Sequence, residues 1–404
     1  MDPSRRFVTP SCLLCLLTLL VVLSSPYGLS QESPTFQLLY SFTGGTDGAN
    51  PYAELLRDHA GNLYATTYGG GEITGQSCHC GVVFRLNDSR RETVLYTFTG
   101  DPDFGGPDGG FPQGDLTADK AGNLYGTTTA GGDPFYGVVF KIDQKGHYTV
   151  LHRFAGHDGS FPLGLVHDRI GNLYGVTVQS DEGNCCGTVY RIDSTGKESV
   201  LHFFAGSDGE NPYGDLFLDR KGNIYGTTAL GGSTGRGVVF KLNTTGQLKV
   251  LHNFTGGADD GGNPYGGLVS DGAGNGYGTT FFGGAFDKGV IYKIDRSGNF
   301  TVLYSFTGGA DGGNPQAGLI RGAAGNLYGT TQVGGDNGCN GPDPGCGVVF
   351  KLDPSGTESV LHAFSDGTDG GAPAGTLTMD AHGNLYGTAS GGGKGFGVVF
   401  KITP

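Results

Sequence analysis

The sequence predicts an all-β fold, a single seven-bladed β-propeller of four-stranded antiparallel blades. Three observations predict it: one unit recurs seven times, each unit contains four short strand-like runs, and each end of the repeat region carries one unpaired strand. A period of about fifty residues suits a four-stranded blade and is too long for a leucine-rich repeat. We expect residues 31–404 to form this one domain.

The repeat is marked by the string Gly-Asn-x-Tyr, in which x is apolar or glycine. Its seven copies lie 49 to 61 residues apart. They begin at Gly61, Gly122, Gly171, Gly222, Gly274, Gly325 and Gly383. In six copies an aspartate stands three residues before the glycine, which is typical of the turn of a hairpin. The 80 glycines of the chain therefore separate strands and do not form a low-complexity segment.

Each unit contains four runs with the composition of strands. In the sixth unit they are residues 317–320, 326–331, 347–352 and 358–364. Short apolar or β-branched runs between glycine-containing turns indicate strands. Helical periodicity and helix caps are absent from the repeats, and the frequent glycines would weaken any helix.

The two ends of the repeat region predict how the ring closes. Residues 36–42 form a lone strand of the fourth type, and residues 397–403 form a lone strand of the third type. Pairing between them would complete the seventh blade and leave no broken blade. Seven fourth strands are then present, and they end at Phe42, Phe98, Phe154, Phe204, Phe254, Phe306 and Phe364.

The N-terminus has the pattern of a secretory signal peptide, residues 1–30. Arg5 and Arg6 precede an apolar run, and small residues precede Gln31, so we expect cleavage after Ser30. The run is too short to span a bilayer. The chain has 38 acidic and 25 basic residues, which argues against nucleic acid as a partner. We expect a secreted, periplasmic or cell-surface monomer without a membrane span.

The strings that begin at Asn326, Gly347 and Val360 read NLYGTT, GVVFKL and VLHAF. This combination resembles the Gloeo/Verruco tandem-repeat family of bacterial secreted proteins over essentially all of residues 36–404. The resemblance implies an extracytoplasmic setting and brings no assigned reaction or ligand. The Leu-x-x-Asp-x-x-Gly-Asn-Leu-Tyr piece is also loosely similar to NHL and SMP-30-type propeller repeats, in which the first strand lies innermost.

Residues that recur at the same position in every unit are expected to have a structural role in the blade. Asp-Gly-x-x-Pro recurs in all seven crossings between units, and its aspartates are interpreted as turn residues, with a ring of calcium ligands as the alternative. One position of the fourth strand alternates between tyrosine and histidine, which indicates a packing residue with one hydrogen bond. The alternative is a metal site. The tyrosines and histidines are Tyr40, Tyr96, His152, His202, His252, Tyr304 and His362.

Departures from the repeat are more informative about function. One position near the first strand holds Glu54, Asp115, Gly164, Asp215, Gly267, Gly318 and Thr376. Glu54, Asp115 and Asp215 are carboxylates at a position that is otherwise small. On an innermost strand these three could meet at the channel mouth and hold a divalent cation such as calcium, or raise one another's pKa. The alternative is that they simply end a strand in solvent.

Six cysteines follow the signal peptide, an even number in a secreted chain. They are Cys78, Cys80, Cys185, Cys186, Cys339 and Cys346. They lie in second-to-third strand loops of units that are not ring neighbours, so we expect disulfides within each loop. A redox role, or a metal site at His79 between two cysteines, is the alternative.

No nucleophile elbow, phosphate-binding loop or His-Glu-x-x-His motif occurs, and no catalytic residue is assigned. We therefore expect a non-enzymatic binding or scaffold module that presents one loop-rich face to a glycan or protein. The alternative is a metal-dependent hydrolase or lyase with an acidic site near the central channel.

Overall fold

The computed structural model describes residues 33–71, 78–101, 103–181, 186–335 and 345–404. Their strands form seven four-stranded antiparallel sheets in a ring, which is the seven-bladed β-propeller that the sequence predicts. These described residues contain no helix that is long and apolar enough to cross a membrane. The predicted signal peptide, residues 1–30, lies outside the described residues, so cleavage after Ser30 stays a prediction.

Strands are numbered in chain order, and each blade is given from its first to its fourth strand. Blade 1 contains β2 (Leu56–Arg57), β3 (Leu63–Thr67), β4 (Val82–Leu86) and β5 (Glu92–Thr97). Blade 2 contains β6 (Thr117–Ala118), β7 (Leu124–Thr128), β8 (Val138–Ile142) and β9 (Tyr148–Arg153). Blade 3 contains β10 (Ser160–His167), β11 (Leu173–Gln179), β12 (Thr188–Ile192) and β13 (Glu198–Phe203). Blade 4 contains β14 (Phe217–Leu218), β15 (Ile224–Thr228), β16 (Val238–Leu242) and β17 (Leu248–Asn253).

Blade 5 contains β19 (Val269–Ser270), β20 (Gly276–Thr280), β22 (Val290–Ile294) and β23 (Phe300–Ser305). A separate two-stranded sheet pairs β18 (Gly261–Gly262) with β21 (Phe282–Gly283). Blade 6 contains β24 (Ile320–Arg321), β25 (Leu327–Thr330), β26 (Val348–Leu352) and β27 (Glu358–Ala363). Blade 7 contains β28 (Thr378–Met379), β29 (Leu385–Ala389), β30 (Val398–Thr403) and β1 (Thr35–Ser41).

The seventh blade is closed by both ends of the repeat region. β1 pairs antiparallel with β30, with Thr35 opposite Thr403 and Ser41 opposite Val398. The register shifts between Leu38 and Tyr40, which marks a bulge in β1. The predicted pairing of residues 36–42 with residues 397–403 is thus confirmed to within one residue at each boundary.

The first strands lie innermost and are mostly only two residues long. Just before them, the chains of neighbouring blades approach so closely that glycine is required. A Cβ on Gly266 would lie 2.5 Å from the Ala317 carbonyl oxygen, and one on Gly375 would lie 2.8 Å from that of Ala53. Both distances are shorter than van der Waals contact. Glycine therefore allows the inner ends of the blades to close around the axis.

The hydrophobic core lies between adjacent blades. Each of the seven phenylalanines that follow the fourth strands is at most 5% exposed. Each packs edge-to-face on an aromatic ring in the third strand of the next blade, with ring centroids 5.0 to 5.5 Å apart. The pairs are Phe42–Phe84, Phe98–Phe140, Phe154–Tyr190, Phe204–Phe240, Phe254–Tyr292, Phe306–Phe350 and Phe364–Phe400. Such contacts contribute about 0.5–1.5 kcal/mol each beyond the area they bury.

A second repeated contact, called the outer belt here, joins each fourth strand to the following crossing. The tyrosine or histidine of the fourth strand hydrogen-bonds to the aspartate of Asp-Gly-x-x-Pro at 2.8 to 3.1 Å in all seven blades. The same aspartate accepts from a backbone N–H at the end of the fourth strand, as Asp260 does from Thr255. The single hydrogen bond predicted for the tyrosines and histidines is present. The aspartates lie in the turn or bend before the crossing proline, as interpreted, and they also brace the end of the fourth strand.

Candidate metal centre at the channel mouth

Glu54, Asp115 and Asp215, called the acidic trio here, occupy equivalent positions in blades 1, 2 and 4. Each directly precedes a leucine that is at most 6% exposed and anchors the inner end of its blade. Successive side chains of an extended chain point to opposite sides. Because the leucine enters the core between blades, the acidic residue before it faces the axis.

The structure brings the three predicted carboxylates together. One oxygen of each lies within 4.8 Å of an oxygen of the other two. The Glu54 backbone N–H donates to Asp115 Oδ1 at 2.5 Å. The proximity of Asp115 helps to raise the pKa of Asp215, so the pair favours a proton on Asp215.

Blade 3 allows the carboxylates of blades 2 and 4 to meet. Its equivalent residue is Gly164, and a Cβ at that position would overlap Asp215 Oδ1. The remaining positions hold Gly267, Gly318 and Thr376, and the Thr376 hydroxyl accepts from the Gly318 N–H at 3.1 Å. The absence of a side chain at Gly164 therefore gives Asp215 the space to reach Asp115.

Burial raises the pKa of all three carboxyl groups. The pKa of Glu54 is raised well above its usual value by burial and then by the Asp115 charge. The pKa of Asp215 is raised well above its usual value by burial and then by Asp115 and Glu54. Burial also raises the pKa of Asp115, but the hydrogen bonds from Asp215 and from the Glu54 N–H oppose this effect. The trio therefore favours bound protons or a cation over three free negative charges.

The cavity around Asp115 and Asp215 has a volume of about 120 Å³. Glycine and alanine form much of its wall, and Tyr52, Tyr213 and Tyr265 stand at its edge. Among the described residues that line it there is no lysine, arginine or histidine. The negative charge of the site therefore lacks a basic partner in this wall.

The donor set of the trio fits a hard divalent cation. Calcium binds oxygen ligands at about 2.3–2.6 Å, so two ligands of one ion are separated by at most about 5 Å. The 4.8 Å limit on the oxygens of the trio satisfies this condition. Glu54, Asp115 and Asp215 would supply three acidic ligands, and water would have to complete the six to eight that calcium prefers.

The predicted cysteine sites are described only in part. Cys78 and Cys80 are joined by a disulfide. An oxidised pair leaves neither sulfur as a thiolate, so it would exclude the alternative metal site at His79. Cys186 and Cys346 are buried just before β12 and β26. Their predicted partners, Cys185 and Cys339, lie outside the described residues, and these two pairings stay predictions.

The sequence analysis missed a second acidic cluster. His152, Asp158 and Glu198 place one ligand atom each within 4.8 Å of the others. His152 and Asp158 belong to the outer belt, and their hydrogen bond is 2.8 Å long. Glu198 begins the fourth strand of blade 3, where Glu92 and Glu358 stand in blades 1 and 6. This recurrence is the signal in the sequence, and it indicates a role in the contact between blades.

A larger groove adjoins the acidic cavity and was also missed by the sequence analysis. Its volume is about 520 Å³, and it shares Gln113, Leu163 and Tyr213 with the cavity. Phe111 and Phe161 line it further out. Crossings between blades and second-to-third strand loops pair with one another on this face, as Gly110 does with Ala130. The groove and the trio therefore lie on the loop-rich face.

Solved structures with the same fold come from several kinds of protein. Virginiamycin B lyase from Staphylococcus aureus has a TM-score of 0.60 at 15% identity, over 92% of this chain and all of the lyase. The extracellular domain of BT4673 from B. thetaiotaomicron has a TM-score of 0.56 at 14% identity, over 92% of this chain and 42% of that one. PorZ, a surface component of the type-IX secretion system of Porphyromonas gingivalis, has a TM-score of 0.52 at 14% identity, over 87% of this chain and 46% of PorZ. At these identities the similarity shows the fold alone.

No curated protein matches the sequence significantly. The Gloeobacter/Verrucomicrobia repeat family matches residues 26–186, 164–338 and 215–404, which together cover nearly the whole chain. The strings quoted above from the sixth unit lie within the third match. The chain therefore belongs to the Gloeobacter/Verrucomicrobia repeat family.

Proposed function

We propose that the protein is an extracytoplasmic binding module that holds a ligand at the mouth of its central channel through a divalent cation on the acidic trio. The observation that carries this proposal is the convergence of Glu54, Asp115 and Asp215 beside a cavity whose described wall contains two of them and no basic side chain. Three carboxylates from different blades are drawn together against their mutual repulsion, and a cation would remove that cost.

The position of the trio supports a binding role. The carboxylates lie on the loop-rich face, and loops on a rigid scaffold are where recognition residues concentrate. Oxygen groups of a ligand could then complete the coordination of the ion. The extracytoplasmic setting is supported by the signal-like N-terminus and by the fold's occurrence in an extracellular domain and a surface component.

A calcium titration of the purified protein tests the proposal. Isothermal calorimetry with calcium chloride is expected to give about one site per chain at pH 7.5. A variant with Glu54→Gln, Asp115→Asn and Asp215→Asn is expected to bind at least tenfold more weakly, because it loses all three charged ligands. A control with Asp88→Asn, Glu210→Gln and Asp259→Asn removes as many charges outside the cavity and is expected to bind as the wild type does. Absence of calcium binding, or equal binding by the trio variant, would contradict the proposal.

The second candidate function is a metal-dependent hydrolase or lyase. The closeness of Asp115 and Asp215 favours it, because the raised pKa of Asp215 suits a proton donor and the neighbouring carboxylate could accept a proton. Oligosaccharides would be incubated with the wild type and with Asp215→Asn, and products followed by mass spectrometry. Cleavage by the wild type alone would support catalysis, whereas intact oligosaccharide in both samples would leave the binding module as the function.

A further inference from the structure

Blade 3 departs from the other six blades at its inner end. In every other blade the inner leucine stands four residues after the crossing proline, as Leu116 follows Pro112. In blade 3 Leu165 stands three residues after Pro162. Its first strand, β10, is eight residues long and bulges between Leu163 and Leu165, whereas the other first strands have two residues. The aromatic groove, defined by Tyr68, Phe111, Phe161 and Tyr213, lies against this blade.

The residue before the crossing proline has a left-handed backbone in every blade, with φ between 49° and 56°. These residues are Asn50, Phe111, Phe161, Asn211, Asn263, Asn314 and Ala372. Asparagine tolerates this conformation, whereas a bulky residue there is uncommon and strained. The asparagine side chain also bonds a neighbouring carbonyl, as Asn314 Nδ2 does with Phe281 at 2.9 Å. Asparagine therefore suits the fold at this position.

Phe111 and Phe161 replace that asparagine in the two blades that border the aromatic groove. Both lose the amide donor and accept a strained backbone. Phe161 is still 39% exposed, so packing explains only part of its presence. Bulky residues held in a strained backbone conformation tend to cluster at binding sites. The two phenylalanines are therefore best explained by what they present to the groove.

The groove offers aromatic rings and neutral polar groups. Tyr68 and Tyr213 are each 38% exposed, and the rings of Tyr68 and Phe111 lie 5.3 Å apart. Gln113 and Gln179 add exposed amides. The wall has no basic side chain among the described residues, and Asp103 is its one acidic residue. A volume of about 520 Å³ is in the usual range for a small-ligand pocket.

We propose that the aromatic groove binds a neutral oligosaccharide. The C–H faces of pyranose rings carry a slight positive charge and pack on the negative faces of aromatic rings. Sugar hydroxyls can both donate to and accept from the glutamine amides. The acidic trio and the formal net charge of −13 disfavour an anionic polysaccharide. This inference rests on the proposed function, since a sugar at Gln113 and Tyr213 would border the cation held by the trio.

The test restores asparagine at both positions, with Phe111→Asn and Phe161→Asn in one chain. Because four blades carry asparagine there, the melting temperature is expected to stay equal to that of the wild type or to rise. The probe is an array of cello-, xylo-, manno- and chito-hexaoses, followed by calorimetry with the best binder in the presence of calcium. Binding is expected to weaken at least tenfold in the double variant. Phe286→Asn removes a 58% exposed aromatic outside the groove and serves as the control.

Calcium binding separates the two proposals. The double variant is expected to bind calcium as the wild type does, whereas the trio variant loses calcium. If no neutral hexaose binds the wild type at millimolar concentration, the oligosaccharide proposal is wrong even where calcium binds. It is also wrong if the double variant binds the hexaose as tightly as the wild type does. Acidic polysaccharides and peptides are included in the array, and binding of the wild type to those alone would likewise contradict the proposal.

Discussion

The outer belt and the channel mouth use the same kind of side chain in opposite ways. In the belt, aspartates such as Asp158 and Asp260 accept hydrogen bonds from a histidine and from backbone N–H groups. Burial raises the pKa of these two aspartates, but the hydrogen bonds outweigh it and lower the pKa overall. At the mouth, burial and neighbouring carboxylates raise the pKa of Glu54 and Asp215.

This difference follows the symmetry of the molecule. The belt contact is present in all seven blades and joins elements that every blade needs. The acidic trio occurs in three blades and adds repulsion that the fold does not require. A buried carboxylate that accepts hydrogen bonds from the protein stabilises the fold as a charged group. A buried carboxylate without such donors needs a bound proton or a cation.

Disrupting an aromatic pair between two blades should have the largest effect on the free energy of unfolding. Phe350→Ala removes a fully buried ring that packs on Phe306 with centroids 5.1 Å apart. We expect a loss of about 3–5 kcal/mol in the free energy of unfolding, measured in urea, because a large cavity remains between blades 5 and 6. Calcium affinity of the folded fraction should be unchanged. A loss below about 1 kcal/mol would contradict the role of these pairs in joining blades.

Removing a belt carboxylate should destabilise the protein by about 1–3 kcal/mol at pH 7. Asp260→Ala leaves His252 Nε2 and the Thr255 N–H without the acceptor that lies 3.0 Å from each. The lowered pKa of Asp260 means that its contribution is present above pH 4 and is lost as the pH falls through the folded-state pKa. The cost of the substitution should therefore shrink near pH 3. Asp259→Ala, beside it and exposed, is the control.

Removing a carboxylate at the channel mouth should instead raise the free energy of unfolding at high pH. The raised pKa of Asp215 means that its contribution to stability is present at pH 4 and is lost as the pH rises through the folded-state pKa. Asp215→Asn should thus match the wild type at pH 4 and exceed it by roughly 1 kcal/mol at pH 8 with a chelator present. Thermal unfolding at the two pH values measures this difference. Destabilisation at pH 8 would mean that the trio supports the fold.

The smallest effect on stability is expected for Glu92, a carboxylate close to Asp47 of the outer belt. Burial and then the Asp47 charge raise the pKa of Glu92 to about 7. Its stability contribution is therefore lost as the pH rises from about 4.5 through 7. Glu92→Gln mimics the protonated form and should add less than about 1 kcal/mol at pH 8 and a smaller amount at pH 5, because the side chain is half-buried and solvent screens it. Thermal unfolding at both pH values tests this, and an equal gain at pH 5 would exclude titration as the cause.

The sequence was sufficient to predict the blades and their closure because both depend on local patterns. Strand composition, hairpin turns and the count of fourth strands each follow from residues a few positions apart. The turn position of aspartates such as Asp47 was predicted, but their hydrogen-bond partners were not, because these partners precede the turn: Tyr40 lies seven residues earlier. A hydrogen bond that brings strand and crossing together in space is not visible as a local motif.

The candidate site was predicted in its residues but not in its surroundings. Departure from the repeat identified Glu54, Asp115 and Asp215, yet their distances depend on how closely the inner strands approach. The shortening between Pro162 and Leu165 is visible in the sequence, but the aromatic groove beside it is formed by residues of blades 1 to 4. Left-handed backbone at Phe161 could not be read from its residue type, since phenylalanine rarely adopts it.

The pairing of β1 with β30 also has a consequence for biosynthesis. Of the described strands, β1 is the first to leave the ribosome and its partner is the last. The backbone donors and acceptors of residues 35–41 therefore await their partner while the other strands are made. The ring can become fully cooperative only when residues 398–403 arrive, so the seventh blade folds after the other six have been made and involves contacts between residues more than 350 positions apart.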